Sequence, residues 1–288
     1  MFEGFQDGFV ETTGARIRVR HGGEGPPLLM LHGNPQTSAM WRHQAVSLRD
    51  RFTMVCPDLR GYGFSSKPPA GDGHANYAKR EMARDMVEVM EALGHQRFGL
   101  VGHDRGGRVA HRLAYDWPDR VTRLMVLDIG PTREMYRGTT DEMAKAYWHW
   151  FFMILPHPIP ERMMGADPDR FWLDKCGFQG GIEEVFGEGL AEYLEAFRDP
   201  ETIRGSCEDY RAAATIDIEH DDAETGKVKM PLRVLWGRKG VIERCYDPLA
   251  LWRLRAEQVD GHALDCGHYM PEELPQEISE EITRFFGT

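Results

Sequence analysis

The sequence predicts an α/β fold in which a mostly parallel sheet is flanked by helices and interrupted by a helical insertion. First, short apolar runs alternate with helical patterns up to residue 127, which is typical of a parallel sheet covered on both faces. Second, residues 132–214 carry no clear strand signal and are too many for a loop. Third, the alternation resumes at residue 232 and continues to the C-terminus.

Apolar runs locate the strands, and apolar residues at helical spacing locate the helices. Strands are expected at residues 26–31, 54–56, 98–101, 124–127 and 232–236. Helices are expected at residues 78–93, 109–117, 248–257 and 272–286. The helix at residues 78–93 ends at Gly94, a residue that commonly terminates helices.

The inserted segment is rich in aromatic residues and contains prolines at positions 156, 158, 160 and 168. This composition favours a mostly helical cap. We therefore expect a core domain formed by residues 1–131 and 215–288, with a cap formed by residues 132–214 inserted between its two parts.

Composition and charge exclude several classes of function. The chain has 288 residues, of which 41% are hydrophobic and 28% charged, and this argues against a disordered or fibrous protein. The net charge is −11 and no basic block is present, so nucleic acid is a poor partner. No apolar run reaches the roughly 18 residues of a membrane span, and the N-terminus does not resemble a signal peptide.

The five cysteines are an odd number, widely spaced and without a C-x-x-C pair. This pattern argues against a disulfide framework and against a zinc site. The sequence therefore predicts a cytoplasmic protein with reduced thiols.

The most specific motif is Gly102-His103-Asp104-Arg105-Gly106, which follows one predicted strand and precedes a predicted helix. This is the context of a nucleophile elbow, where small residues on both sides of the nucleophile permit a tight turn. Asp104 occupies the nucleophile position. A carboxylate there can displace a leaving group at saturated carbon or open an epoxide, forming an ester. The alternative is a helix N-cap aspartate with no chemical role.

Two more residues complete a candidate triad. His268 lies near the C-terminus, where a turn after the last strand can bring it to the elbow, and it would activate water against the ester. Asp128 ends the strand at residues 124–127 and would orient the His268 ring. The segment 237–240 contains no acid, which favours Asp128 as the third member. For either residue alone, a structural role is the alternative.

Residues 32–35, His-Gly-Asn-Pro, have the position of an oxyanion loop after an early strand. The backbone N–H groups of Asn34 and Arg105 would stabilise the charge that develops on the ester oxygen. His32 is better explained as a residue that packs the turn.

These motifs resemble the α/β-hydrolase fold, in its aspartate-nucleophile branch of haloalkane dehalogenases, epoxide hydrolases and haloacetate dehalogenases. The resemblance spans nearly the whole chain and is carried by residues 32–35, 58–63, 102–107 and 265–271. Residues 2–5, 74–77, 146–150 and 209–212 are similar to the fluoroacetate dehalogenases of this branch.

The residue after the nucleophile separates the members of the branch. Haloalkane dehalogenases and most epoxide hydrolases are expected to carry Trp there, whereas this chain has Arg105, with Arg108 three positions later. Two guanidiniums suit an anionic substrate whose carboxylate they bind, and the resemblance assigns them that role. The alternative for Arg108 is an ion pair with a surface acid.

The resemblance also implies a halide pocket formed by His149, Trp150 and Tyr210. Without it, such aromatic residues would be assigned to the core. Two positions depart from fluoroacetate dehalogenases. Asn34 stands where those enzymes are expected to have Phe, and it resembles the Asn of haloalkane dehalogenases. Residues 176–181 lack an expected Trp.

The sequence therefore predicts hydrolytic dehalogenation of a short 2-haloacid, with haloacetate as the main candidate and no metal or organic cofactor. The resemblance further implies a homodimer. One alternative is an epoxide hydrolase that uses Asp104 and His268 with Tyr147 and Tyr210 as donors. The other is a non-catalytic protein of the same fold that binds an acidic ligand.

Overall fold

The computed structural model describes residues 1–177 and 181–287, in which a single sheet of eight strands forms the centre of the molecule. The strands are β1 (Gln6–Glu11), β2 (Arg16–Gly22), β3 (Pro27–Leu31), β4 (Thr53–Pro57), β5 (Phe98–His103), β6 (Val121–Leu127), β7 (Leu232–Gly237) and β8 (Val259–Leu264). Their order in the sheet is β1-β2-β4-β3-β5-β6-β7-β8. Strand β2 is antiparallel to β1 and β4, and the other neighbours are parallel. The predicted mostly parallel sheet is confirmed.

Helices flank this sheet. Before the insertion they are two 3-10 helices (Ser38–Trp41 and Asp72–Tyr77), α1 (Arg42–Leu48), α2 (Lys79–Ala92) and α3 (Arg105–Asp116). After β7 they are α13 (Val241–Cys245), α14 (Pro248–Arg253), α15 (Met270–Glu273) and α16 (Pro275–Phe286). The helix predicted at residues 272–286 is thus divided, because Pro275 has no backbone N–H and begins a new helix.

The segment between β6 and β7 is helical, as predicted, and no strand occurs in the part of it that the structure describes. Its helices are α4 (Thr132–Arg137), α5 (Asp141–Ala146), α6 (Trp148–Met153), α7 (Ile159–Ala166), α8 (Pro168–Cys176), α9 (Ile182–Phe186), α10 (Gly189–Phe197), α11 (Pro200–Ala214) and α12 (Ile216–Asp222). The predicted cap boundary at residue 214 coincides with the end of α11, and the division into domains stays a prediction. Among the described residues, no helix combines the length and the apolar character needed to cross a bilayer.

The register of the central strands determines where the functional residues meet. Leu31 of β3 pairs with Gly102 of β5, and His103 of β5 pairs with Leu127 of β6. Residues that directly follow these parallel strands therefore lie at one edge of the sheet. Ligands of open α/β sheets bind at this carboxyl edge.

Candidate active site

Asp104 occupies the corner between β5 and α3. Its backbone has φ 47° and ψ −115°, a conformation that costs free energy for a residue other than glycine and is characteristic of a nucleophile elbow. A Cβ on Gly102 would lie 2.5 Å from the carbonyl oxygen of Gly106, and a Cβ on Gly106 would lie 2.5 Å from that of Leu31. The close approach of these backbones therefore requires the two glycines that the sequence motif contains.

The Asp104 carboxylate is buried and ionised. Its side chain accepts a hydrogen bond at Oδ1 from the backbone N–H of Asn34, at 3.0 Å. Burial acts to raise the Asp104 pKa, but the charges of His268 and Arg105 and the Asn34 hydrogen bond outweigh it, so that the pKa is lowered to about 2. The carboxylate is thus available as an anion over the whole physiological pH range.

His268 and Asp128 form a hydrogen-bonded pair, as the sequence predicted. His268 Nδ1 lies 2.6 Å from Asp128 Oδ2, and Asp128 Oδ1 accepts a hydrogen bond from the Gly237 N–H at 2.9 Å. Asp128 is fully buried and has φ 48°. A Cβ on Gly237 would clash with the Gly267 carbonyl oxygen, so glycine at the end of β7 lets the loop after β8 carry His268 to Asp128.

The pKa of His268 is raised above its ordinary value of 6.5. Burial acts to lower this pKa, but the hydrogen bond to Asp128 and the charge of Asp128 have the larger combined effect. His103 holds the same loop, since its Nε2 lies 2.8 Å from the His268 carbonyl oxygen and donates to it. Burial lowers the pKa of His103 to about 3, so that its ring remains neutral while it does so.

Asp104 and His268 both line a small cavity of about 190 Å³. The other lining residues are Asn34, Ala146, Tyr147, His149, Trp150, Lys175, Cys176, Gly177, Tyr210, Val241 and Tyr269. The cavity is smaller than the pockets of roughly 300–1,000 Å³ that hold drug-sized ligands. Its size therefore fits a substrate of only a few heavy atoms.

Three polar groups on the cavity wall are free to donate hydrogen bonds to a ligand. Within the described residues, the His149 ring, the Trp150 indole N–H and the Tyr210 hydroxyl make no hydrogen bond to another residue. Burial lowers the His149 pKa well below its ordinary value and raises the Tyr210 pKa, so His149 is neutral and Tyr210 keeps its proton. The structure thus brings together the three residues that the sequence assigned to a halide pocket.

Arg105 is held in place by Asp209 of α11. Arg105 Nε donates to Asp209 Oδ2 at 2.6 Å, and Arg105 Nη2 donates to the Asp209 carbonyl oxygen at 2.9 Å. Lys79 Nζ also donates to the Asp209 carboxylate, and the Tyr62 hydroxyl donates to it at 2.6 Å. Arg105 Nη1 is buried and has no hydrogen-bond partner. One guanidinium nitrogen therefore remains available to a ligand while the rest of the group is fixed.

Arg108 is a buried cation that packs against an aromatic ring. Its guanidinium lies over the Trp150 ring, with Cζ 4.3 Å from the ring centroid, and its Nη2 approaches the Met135 sulfur at 3.8 Å. In the part of the chain that the structure describes, no carboxylate pairs with it, and its Nε and Nη1 have no partner. Burial, followed by the charge of Arg105, lowers the Arg108 pKa. The alternative of a surface ion pair is wrong, because Arg108 is only 2% exposed.

The two guanidiniums lie directly behind the cavity wall. Arg105 Cζ is 4.2 Å from the centroid of the Tyr210 ring, and Arg108 lies against Trp150 in the same way. Both rings line the cavity, whereas the arginines do not. The sequence predicts that both arginines bind the substrate carboxylate, and this role stays a prediction; the structure shows that their planar faces lie against the two rings while some of their nitrogens have no partner among the described residues.

Asn34 lies beside the nucleophile, as expected for an oxyanion loop: its backbone N–H donates to Asp104 Oδ1, and Asn34 lines the cavity. The oxyanion role of Asn34 and of the Arg105 backbone N–H stays a prediction. Of the segment 176–181, where the sequence lacks an expected Trp, residues 178–180 lie outside the described residues.

Sequence reasoning missed Lys175, which lines the cavity beside Asp104. Its Nζ donates to the Asn34 carbonyl oxygen at 3.3 Å, and no carboxylate among the described residues pairs with it. A lysine in the last turn of a helix such as α8 ordinarily interacts with the helix dipole. The sequence therefore contained no signal that distinguished this lysine from others.

The chain is similar to known proteins in three comparisons: with a family model, with individual sequences and with solved structures. The family model described as "alpha/beta hydrolase fold" matches residues 26–181. A fluoroacetate dehalogenase of Burkholderia sp. is 44% identical over 289 residues, covering 99% of this chain and 95% of that protein. The soluble epoxide hydrolase of Corynebacterium sp. (strain C12) is 33% identical, covering 95% of this chain and 94% of that protein. The crystal structure of ALR0039 from Nostoc sp. PCC 7120 has a TM-score of 0.96 and 51% identity, with 99% of each chain covered.

Proposed function

The chain belongs to the α/β-hydrolase fold family, and from this premise we propose that it is a hydrolase that removes halide from short 2-haloacids, with haloacetate as its substrate. The reaction converts haloacetate and water to glycolate, halide and a proton. The relative that is named a fluoroacetate dehalogenase supports this class of reaction, and the relative that is named an epoxide hydrolase supports a second candidate reaction.

The observation that carries the proposal is the Arg108 guanidinium, which is buried near the nucleophile and pairs with no carboxylate among residues 1–177 and 181–287. An unpaired buried charge is strongly unfavourable, so its presence indicates that an anion completes the site. A haloacid provides that anion in its carboxylate. A neutral substrate such as an epoxide would leave Arg108 uncompensated.

In the first half of the reaction, Asp104 attacks the α-carbon of the bound acid. A bond forms between a carboxylate oxygen of Asp104 and this carbon, and the carbon–halogen bond breaks with its electron pair on the halide. The free donors of His149, Trp150 and Tyr210 stabilise the departing halide. Arg105 and Arg108 hold the substrate carboxylate and so align the carbon with Asp104.

In the second half, water hydrolyses the ester formed on Asp104. His268 takes a proton from water through Nε2, since Nδ1 is engaged with Asp128. The hydroxide attacks the carbonyl carbon of the ester, and the Asn34 N–H, already bonded to Asp104 Oδ1, stabilises the oxyanion. Collapse of the intermediate breaks the bond to the glycolate oxygen, which takes the proton held by His268, and the Asp104 carboxyl group releases its own proton to solvent and becomes a carboxylate again.

The proposal is tested by measuring halide release from fluoroacetate, chloroacetate and bromoacetate side by side with the purified protein. Release of at least one halide together with an equal amount of glycolate is the expected result. No release from any of the three acids would contradict the proposed function.

An epoxide hydrolase is the second candidate, because Tyr147 and Tyr210 both line the cavity and could donate to an epoxide oxygen. Styrene oxide serves as the test substrate. Hydrolysis of styrene oxide without halide release from the three acids would favour this candidate over the dehalogenase.

A homodimer in the cytoplasm, working without a cofactor, is part of the proposal. The five cysteines are free thiols, which is compatible with a reducing compartment. Light scattering of the purified protein measures its mass in solution and tests the dimer.

Replacing Arg108 with leucine is expected to raise KM for the haloacid at least about thirtyfold, because truncating a buried charge that binds an anion costs roughly 2–5 kcal/mol. The free enzyme is expected to keep or increase its Tm, since an unpaired buried charge is replaced by an apolar side chain. Steady-state kinetics and thermal unfolding measure the two effects. The matched control is Arg162→Leu at an exposed position of α7, which should leave KM unchanged.

The pH dependence of turnover should report the titration of His268. Below its raised pKa the ring binds a second proton and cannot accept one from water, so ester hydrolysis slows by about tenfold per pH unit. Asp104 stays ionised down to a pKa of about 2, so the alkylation step continues and the ester accumulates at low pH. Measurement of kcat from about pH 5 to about pH 9 checks this, and a flat acidic limb would contradict the role of His268.

A further inference from the structure

Tyr136 of α4 lies beside the two arginines, and the mechanism described above does not use it. Its ring centroid is 5.3 Å from that of Trp150 and 5.7 Å from Arg108 Cζ, so the two rings contact each other and Arg108 lies against both. The Tyr136 hydroxyl is buried and has no hydrogen-bond partner in the described part of the chain. A phenolic hydroxyl without a partner in the interior is uncommon and calls for a ligand or an ordered water.

Three neighbouring residues carry four buried polar atoms that have no partner among the described residues. They are Arg105 Nη1, Arg108 Nε, Arg108 Nη1 and Tyr136 Oη. A guanidinium can only donate hydrogen bonds, so the missing group must be an acceptor. An ionised carboxylate has two oxygens with about four lone-pair sites, which matches the number of atoms that need a partner.

The neighbouring protein carboxylate cannot provide this acceptor. Asp209 already accepts from Arg105, Lys79 and Tyr62, and no acid among the described residues pairs with Arg108. Burial raises the Tyr136 pKa although both guanidiniums act to lower it. The phenol therefore keeps its proton and is able to donate a hydrogen bond to an anion.

We propose that the Tyr136 hydroxyl is a third binding group for the substrate carboxylate, together with Arg105 and Arg108. This inference rests on the proposed function, because it takes the anion to be the haloacid. Tyr136 positions the substrate and does not touch the reacting carbon. The hydrogen bond from the Tyr136 hydroxyl is directional, so it favours a ligand whose acceptor oxygens have the geometry of a carboxylate.

The test is Tyr136→Phe, which removes one oxygen atom and keeps the ring that packs on Trp150 and Arg108. We expect KM for the haloacid to rise about tenfold, the effect of losing one hydrogen bond to a charged group, with kcat changed by less than about threefold. The Tm of the free enzyme should be unchanged or higher, because the hydroxyl has no partner to lose. A residue with only a structural role would change Tm and leave KM unchanged.

The control is Tyr115→Phe, at the far end of α3, where the hydroxyl accepts a hydrogen bond from the Thr225 N–H at 3.0 Å. This variant should keep the wild-type KM. An unchanged KM in Tyr136→Phe would overturn the proposal and assign the Tyr136 hydroxyl to a bound water.

Binding of chloroacetate to an Asp104→Asn background, measured by calorimetry with and without Tyr136→Phe, separates this inference from the proposed function. If wild-type protein releases no halide, the dehalogenase assignment fails. The calorimetric Kd still decides whether Tyr136 binds the acid, since an equal Kd for the two proteins would overturn its role without any turnover being required.

Discussion

An Asp104→Asn variant is expected to lose halide release by at least about four orders of magnitude. The amide has no negative charge and is a poor nucleophile at saturated carbon, so the ester cannot form. The variant should fold, because an amide oxygen can still accept the hydrogen bond from the Asn34 N–H, which is 3.0 Å from Oδ1. The substitution also removes a buried charge, and with it the cost of desolvating that charge in the folded protein. Halide release by ion chromatography and Tm by thermal unfolding measure the two properties.

An isotope experiment determines whether the loss of activity in this variant reflects a covalent role of Asp104. In a single turnover of the wild-type protein in oxygen-18 water, the heavy isotope should enter the Asp104 carboxylate, because water attacks the ester carbonyl carbon. Mass spectrometry of the peptide that contains Asp104 detects this. If the isotope appears only in glycolate, water attacks the substrate directly and the ester mechanism is wrong.

A His268→Gln variant is expected to release one halide per active site and then stop. Asp104 can still be alkylated in this variant, but no base remains to activate water, so the ester persists. Turnover should fall by at least about three orders of magnitude, while the first equivalent of halide appears as a burst. Intact-protein mass spectrometry should show the mass of one carboxymethyl group added to the protein.

The matched control is His262→Gln in β8, a position whose side chain is 48% exposed and lies near Glu281. This variant should turn over like the wild-type protein. Full turnover by His268→Gln, or loss of the burst together with turnover, would contradict the assignment of His268 to the second half of the reaction alone.

The elbow and its partners could be predicted from the sequence because each depends on local structure. The glycines around Asp104 are needed by a turn of five residues, and this requirement is visible in any sequence that makes the turn. Asp128 follows a predicted strand, and the carboxyl ends of parallel strands meet at one edge. His268 lies in the segment 265–271 that carried the family resemblance, although the strand before it, β8, was not predicted. The sequence position of these residues therefore implied their proximity in space.

The parts that sequence reasoning missed depend on exposure and on distant packing. Strands β1 and β8 form the two edges of the sheet, and each has exposed residues between partly buried ones, so neither shows a continuous apolar run. Strand β2 carries three arginines at positions 16, 18 and 20, which hide its buried alternate residues. The contact between Arg105 and Asp209 joins residues 104 positions apart, and no local pattern predicts such a pairing.

The convergence of Arg105, Lys79 and Tyr62 on Asp209 has a consequence for motion. Asp209 belongs to the inserted helices, whereas its three partners belong to the sheet and its flanking elements, and all four side chains are buried. Breaking buried pairs of this kind costs about 3–5 kcal/mol when one partner is removed. A hinge opening that separated the inserted helices from the sheet would disrupt these contacts, so we expect substrate and product to exchange through local side-chain displacement. The backbone amides of α11 should accordingly rank among the slowest to exchange with deuterium.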